Sequence, residues 1–160
     1  MPLAKYLLYT GHILDAKSAL SIGLIDAVAG FSDIDDVCLE WAAKNPVVER
    51  EAPTECPDGR WQAVWNFFDT NSVDEILTGE ADCMGDAMLE KACKRMSQKS
   101  YHALKLCEGL FVEGAHQALD RALELEGRDL KTAFLHPDAL EGLGALLDGR
   151  RPSFAKPAFA

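Results

Sequence analysis

The sequence predicts a mainly α-helical fold, and three observations lead to this class. Apolar residues recur three and four positions apart along almost the whole chain, which is the spacing of one helix face. The apolar–polar alternation typical of a half-buried strand never lasts beyond a few positions. Capping residues such as Asp and Ser stand before the periodic segments, and Gly or Pro stands after them.

The first two predicted helices are short. Residues 3–10 have the apolar spacing of the last turns of a helix, and Gly11 is a C-cap candidate. Asp15 is placed to cap a second helix, which Gly23 ends. The apolar run 24–28 that follows predicts a short extended segment.

The third helix is predicted to begin at Ser32 as its N-cap and to stop at Pro46. Acidic residues fill its first turn, where the helix dipole favours negative charge. Its apolar face is expected to include Trp41. Residues 45–59 carry three prolines and three glutamates and are interpreted as a loop or linker.

Helical spacing returns at Arg60 and continues to Leu147, Gly149 ends the last helix, and the tail after Pro152 is predicted to be irregular. Ser72, followed three residues later by Glu75, is a capping-box signature, and Gly79 closes that short helix. Four further helices are predicted, over about residues 84–96, 100–112, 117–135 and 139–147. Glu126 interrupts the apolar face of the longest one, and we expect it to face a core with a structural partner.

The composition excludes some functional classes. The 26 acidic and 16 basic side chains give a formal net charge of −10 at pH 7, without a Lys/Arg run, which argues against nucleic-acid binding. No pair of the five cysteines has C-x-x-C spacing, so a metal site is not predicted, and most of the cysteines are interpreted as small buried apolar residues. Free thiols and the lack of an apolar membrane-spanning run predict a cytoplasmic protein that does not bind membranes.

The chain contains no familiar catalytic motif. Nucleophile-elbow, P-loop and dinucleotide-binding patterns are absent, and the four histidines are scattered. Glu141 is expected to form a structural ion pair or hydrogen bond. The adjacent arginines Arg150 and Arg151 fit either a helix C-terminal cation pair or a phosphate-binding site, and both interpretations stay open.

Two blocks of sequence resemble the C-terminal region of the crotonase superfamily, the enoyl-CoA hydratase/isomerase enzymes. The first block contains Thr10-Gly11 and Gly23-Leu24-Ile25-Asp26. The second begins at Lys99-Ser100 and includes Glu126, Glu141-Gly142 and the ending Arg150-Arg151-Pro152 with Phe154. The order, spacing and helical context of these pieces carry the resemblance.

The resemblance implies the C-terminal helical part of a crotonase fold, a ββα spiral, with most of the spiral core missing. Residues 1–45 would be the end of that core, residues 46–97 a linker with inserted helices, and residues 98–160 a helical region for trimerisation and active-site cover. The family stabilises the enolate of an acyl-CoA thioester with two backbone N–H groups and uses carboxylates to move protons. These groups lie upstream of the first block, so no catalytic residue and no metal ligand is assigned.

Coenzyme-A binding is the property that the resemblance extends to this chain. The matching positions are Leu130 and Phe134, beside the adenine, and Arg150 and Arg151, near the 3′-phosphate. The family often has a lysine where Gly149 stands here. Coenzyme A enters as part of the acyl-CoA substrate, and no separate cofactor is predicted.

Three functional alternatives follow from the sequence. The first is the C-terminal part of an enoyl-CoA hydratase/isomerase enzyme, inactive alone, and the position of Met1 within a predicted helix favours this truncated form. The second is a thioesterase similar to 3-hydroxyisobutyryl-CoA hydrolases, because residues 66–77 resemble the insert of that branch. The third is a naturally short, non-catalytic helical subunit.

All three alternatives predict a partner, either the protein's own N-terminal domain or a separate core subunit. Apolar surface should then be exposed where the spiral would pack, at Leu3, Leu7, Leu24 and Trp41. Because such a surface promotes self-association, we also expect a homo-oligomer.

Overall fold

The computed structural model describes residues 2–44 and 53–155, and these ranges contain nine α-helices and no strand. Two 3₁₀ turns, at Phe31–Asp33 and Gly59–Trp61, lead into the third and fourth helices. The predicted mainly α class is confirmed. The helices are α1 (Pro2–Thr10), α2 (Ala16–Ser21), α3 (Ile34–Lys44), α4 (Gln62–Thr70), α5 (Val73–Thr78), α6 (Ala87–Met96), α7 (Tyr101–Gly114), α8 (Leu119–Leu135) and α9 (Pro137–Leu147).

Several predicted helix caps are present. The Asp15 carboxylate accepts a hydrogen bond from the Ser18 backbone N–H at 2.7 Å. Ser72 and Glu75 form both halves of a capping box at the start of α5, and Gly79 ends that helix with φ = +83°. Each cap satisfies helix-end groups that would otherwise lack partners, so these boundaries follow from local sequence.

Two predictions in the first third of the chain are wrong. Ser32 does not cap α3, because a 3₁₀ turn begins after Gly30 and the Ser32 hydroxyl donates instead to Asp33 Oδ1 at 2.7 Å. The run 24–28 is irregular and joins no strand. The predicted stop at Pro46 and most of the predicted loop lie outside the described residues.

The core is shared by helices α1, α4, α5, α6 and α7. Phe68 of α4 is fully buried, and its ring lies 5.5 Å from that of Tyr6 and 5.3 Å from that of Phe67, measured between centroids. Val73 of α5 and Met96 of α6 are also fully buried in this cluster. Helix α1 therefore packs on α4 and α6, while the predicted domain limits at 45/46 and 97/98 stay a prediction.

This packing corrects the expected apolar surface. Leu3 is only 7% exposed and belongs to the core, and Leu7 is half-buried against it. Leu24 is exposed as expected, whereas Trp41 is only partly exposed. Two of the four residues thus pack inside this chain, because α4 and α6 cover α1.

Helices α8 and α9 bury few of their apolar side chains. Helix α8 packs on α7 and α9, yet it buries only Leu125, and α9 buries only Ala145. Glu126 is exposed, so the prediction that it faces a core is wrong for the described residues. We call the exposed large apolar side chains of these two helices the α8–α9 apolar residues: Leu119, Leu123, Leu130, Phe134, Leu135, Leu140, Leu143, Leu146 and Leu147.

Candidate functional site

The two blocks that carry the family resemblance meet in space. Thr10 is buried at the end of α1, where its hydroxyl donates to the Tyr6 carbonyl at 2.6 Å and accepts from the His12 N–H at 3.2 Å. Gly11 has φ = +61°, and a Cβ there would lie 3.6 Å from Lys99 Nζ. Residues far apart in sequence therefore share one junction, at which a side chain on residue 11 would be strained.

His12 lies beside this junction against two aromatic rings. Its ring centroid is 5.1 Å from Tyr6 and 5.9 Å from Trp61, and Arg95 Nη1 lies 3.2 Å from its Nδ1. Because a guanidinium only donates, Nδ1 is the acceptor. Burial, together with the positive charges of Arg95 and Lys91, lowers the pKa of His12. The imidazole is therefore held neutral and serves as a packing and hydrogen-bonding group.

The arginine pair follows a Schellman motif at the end of α9. The Gly149 N–H donates to the Leu146 carbonyl at 3.3 Å, and the Arg150 N–H donates to the Ala145 carbonyl at 2.9 Å. Gly149 supplies the positive φ that this motif needs, at +64°. This turn sends residue 150 back along α9.

Arg150 is fully engaged by protein groups. Its Nη1 and Nη2 donate to the two carboxylate oxygens of Glu141 at 2.7 and 2.9 Å, and its Nε donates to Asp148 at 3.2 Å. The Ser153 N–H adds a third hydrogen bond to Glu141, at 2.6 Å. The guanidinium and this N–H lower the pKa of Glu141 to about 2, and Glu141 raises that of Arg150. The structural role predicted for Glu141 is confirmed.

The other predicted coenzyme-A residues lie on open surface. Leu130 and Phe134 stand four residues apart on α8, on one helix face, and are 57% and 63% exposed. Arg151 is exposed and has no ion pair among the described residues. Of the four predicted residues, Arg150 is ion-paired, Arg151 has no ion pair among the described residues, and Leu130 and Phe134 form an exposed apolar face of α8. The role of these residues in coenzyme-A binding stays a prediction.

A second polar cluster, which sequence reasoning missed, links α7 to α9. The Ser100 hydroxyl caps α7 and donates to Asp138 Oδ2 at 2.5 Å. His136 caps α9 by accepting the Asp138 N–H at 3.2 Å, and its ring stacks on His102 with centroids 3.9 Å apart. Ser100 is paired with a carboxylate and not with an imidazole, so this is no serine–histidine catalytic pair. The signal in the sequence was His136-Pro137-Asp138, a helix start.

A third cluster connects α5 to α7. Lys105 Nζ contacts Asp74 Oδ2 at 2.8 Å and also pairs with Glu108. The Tyr101 hydroxyl donates to Asp74, and the Val73 N–H donates to Glu108 Oε1 at 2.7 Å. Hydrogen bonds to both carboxylates raise the pKa of Lys105. Each polar group here has a protein partner, so the cluster fixes helix positions.

The described ranges contain neither a metal-ligand cluster nor a membrane-spanning helix, and they contain an apolar cleft beside α3. These residues contain no group of three or more His, Cys, Asp or Glu side chains placed to hold a metal ion. None of the described helices is long and apolar enough to cross a membrane. An apolar cleft beside α3 is lined by Ala27, Ala29, Ile34, Val37, Cys38 and Trp41.

The described ranges form an all-helical module whose last two helices expose large apolar side chains. The chain matches the sequence profile of the enoyl-CoA hydratase/isomerase family over residues 1–160. It therefore belongs to the enoyl-CoA hydratase/isomerase family. No curated protein and no solved structure gives a significant match to this chain.

Proposed function

We propose that this chain is the C-terminal helical part of an enoyl-CoA hydratase/isomerase enzyme that acts on an acyl-CoA thioester through enolate stabilisation. The observation that carries the proposal is the family match over residues 1–160, combined with helices alone in the described ranges. The chain would bind the coenzyme-A part of the substrate. The oxyanion hole and catalytic carboxylates would come from its N-terminal domain or a separate core subunit, so the chain alone would be inactive.

The contacts of Arg150 and Arg151 support different roles for these two residues in coenzyme-A binding. Arg150 already holds Glu141 with two donors and Asp148 with a third, so a phosphate would have to displace these carboxylates. Arg151 has no such competitor among the described residues. We therefore assign the 3′-phosphate contact to Arg151 and a positioning role to Arg150, because a guanidinium suits phosphate geometry.

The exposed face of α8 supports the adenine contact. Phe134 offers an aromatic ring on which a base can stack, and Leu130 adds apolar surface one turn earlier. Both side chains are more than half exposed, so neither needs to move before contact with a ligand. The remaining α8–α9 apolar residues are available for packing on a core subunit or on another copy, in a cytoplasmic homo-oligomer.

Calorimetric titration with coenzyme A and with 3′-dephospho-coenzyme A tests the binding part. We expect coenzyme A to bind about tenfold more tightly than 3′-dephospho-coenzyme A, because the latter lacks the phosphate and so loses one charge-assisted contact. The variant Arg151→Ala should remove this difference, and Phe134→Ala should weaken both ligands equally. Arg121→Ala is the matched control, since Arg121 is an exposed arginine of α8 that pairs with Glu124. Equal affinities in the parent chain would contradict the assignment of Arg151.

Activity measurements test the catalytic part. Hydration of a short enoyl-CoA thioester is followed by the loss of absorbance of its conjugated double bond. The chain alone should give no turnover, and the chain joined to its N-terminal domain or mixed with the core subunit should give turnover. Measurable hydration by the isolated chain would refute the proposed inactivity.

A thioesterase similar to 3-hydroxyisobutyryl-CoA hydrolases is the second candidate. It is favoured by the inserted helices α4 and α5, which cover residues 66–77 and share the core with α1. Release of free coenzyme-A thiol from a 3-hydroxyacyl-CoA, without hydration of an enoyl-CoA, would select this alternative. If the chain has no activity with any core subunit, a non-catalytic helical subunit is the remaining interpretation, and the α8–α9 apolar residues would be its contact surface.

A further inference from the structure

Two cysteines meet at the turn between α5 and α6. The Sγ atoms of Cys83 and Cys93 are 3.3 Å apart, and both side chains are half-buried. The turn after Cys83 brings the two sulfur atoms together, and Met84 and Gly85 in this turn have φ values of +49° and +72°. The Asp86 N–H then donates to the Cys83 carbonyl at 2.8 Å. This backbone geometry holds Cys83 against the side of α6.

The other three cysteines have different surroundings. Cys38 is exposed on α3, and the Cys56 thiol donates to the Asp58 carbonyl at 3.1 Å. Cys107 is half-buried on α7, where burial raises the pKa of its thiol. None of these three contacts another sulfur within the described residues. The expectation that most cysteines are small buried apolar residues therefore does not describe the exposed Cys38, and it is incomplete for the Cys83–Cys93 pair.

We propose that Cys83 and Cys93 are a redox-modification site, which a low-molecular-weight disulfide such as glutathione disulfide converts into an intramolecular disulfide. A disulfide bond is about 2.05 Å long, so the sulfurs must approach by about 1.3 Å from their present contact. Rotation of two side chains supplies such a movement without displacing α6. The bond would tie the α5–α6 turn to that helix.

The reaction proceeds by two thiol–disulfide exchanges. The Cys83 thiolate attacks one sulfur of glutathione disulfide, and the first glutathione leaves as a thiolate that takes up a proton. Cys93 then loses its proton to water and attacks Cys83 Sγ, which releases the second glutathione. The two protein thiols are oxidised, and one glutathione disulfide is reduced to two glutathione molecules.

The surroundings set the order of these steps. Burial and the adjacent Cys83 sulfur raise the pKa of the Cys93 thiol, so Cys93 holds little thiolate at neutral pH. Cys83 lies at the turn before α6 and not within a helix, and we assign it the first attack because Cys93 holds little thiolate. Cys93 follows Ala92 and precedes Met96, which are both buried in the core. The disulfide would therefore attach the turn to a fixed part of the molecule.

Oxidation of the intact chain in glutathione buffers, followed by alkylation, tests the site. Mass spectrometry should show the loss of two hydrogen atoms, and peptide mapping should join Cys83 to Cys93. Dithiothreitol should reverse the change. Because the bond closes a short loop in the unfolded chain, the oxidised form should melt roughly 5–10 °C higher than the reduced form.

Variants separate the site from general thiol reactivity. Cys93→Ser should stop the reaction at a mixed disulfide between Cys83 and glutathione, whereas Cys38→Ser should leave the internal disulfide unchanged. The proposal is overturned if Cys83 of the parent chain keeps a glutathione adduct without closing the internal bond. Linkage of Cys83 to another cysteine, or modification of Cys38 while Cys83 and Cys93 stay reduced, would overturn it as well. Because these outcomes are read on the parent chain, they do not depend on the folding of a variant.

Discussion

Removal of one oxygen atom from the core should stabilise this protein. Tyr9 is 1% exposed and lies among Phe68, Phe111 and their neighbours, with ring centroids 6.3 and 5.9 Å away. Its hydroxyl has no hydrogen-bond partner among the described residues. Burial raises the pKa of Tyr9, so the hydroxyl stays protonated and must be accommodated as a neutral donor. The change Tyr9→Phe keeps the ring and removes this group.

The expected change in the free energy of unfolding for Tyr9→Phe follows from two opposing contributions. An unsatisfied buried polar group costs about 1–3 kcal/mol, which the substitution recovers. The void left by one oxygen, roughly 10 Å³, costs about 0.3 kcal/mol. The net gain is about 0.7–2.7 kcal/mol, which corresponds to a rise in melting temperature of roughly 1–11 °C for a chain of this size.

Urea and thermal unfolding followed by circular dichroism measure this gain. Tyr101→Phe is the matched control, because the Tyr101 hydroxyl donates to Asp74 at 2.8 Å and its removal should destabilise the protein. Opposite signs for the two substitutions are expected. A loss of stability in Tyr9→Phe would show that the hydroxyl has a partner and would refute the reasoning.

Two further predictions concern the core and the arginine turn. Phe68→Ala should lower the free energy of unfolding by about 3–5 kcal/mol. Because α1 and α4 share one core, the unfolding transitions measured by tryptophan fluorescence and by circular dichroism should shift together. In the control Phe31→Ala, at a 99% exposed site, stability should change by less than about 0.5 kcal/mol. Separate transitions for the two probes would contradict this shared core. The lowered pKa of Glu141 means that its contribution to stability is complete above its ordinary value of 4.5 and is lost as the pH falls towards about 2. The stability difference between the parent chain and Glu141→Gln should shrink over that window, and a constant difference would show that the Arg150 pair is not its source.

The local boundaries of the helices could be predicted from the sequence. Asp15, Ser72 and Ser100 each cap a helix by accepting an N–H within three residues, so the cap depends on neighbours that the sequence places automatically. Ser32 failed as a cap because Asp33 competes for its hydroxyl and a 3₁₀ turn begins one residue earlier.

Burial could not be predicted with the same success. Leu3 and Glu126 have ordinary helical spacing, yet Leu3 is buried in the core that α1 shares with α4 and α6, and Glu126 is exposed. Periodicity shows that a helix has an apolar face, but it does not show which element covers that face. In this chain the apolar face of α1 packs on α4 and α6, whereas most large apolar side chains of α8 and α9 are exposed.

The sequence by itself determined the helical class, the family and several capping residues such as Asp15 and Ser72, because these depend on short-range spacing and on the order of motifs. Only the tertiary structure decided which distant groups meet: Gly11 beside Lys99, His102 on His136, and Cys83 against Cys93. It also decided that Arg150 pairs with Glu141, whereas Arg151 is exposed and has no ion pair among the described residues. The physical reason is that a contact between helices is set by packing of whole faces, and that packing depends on all the helices at once.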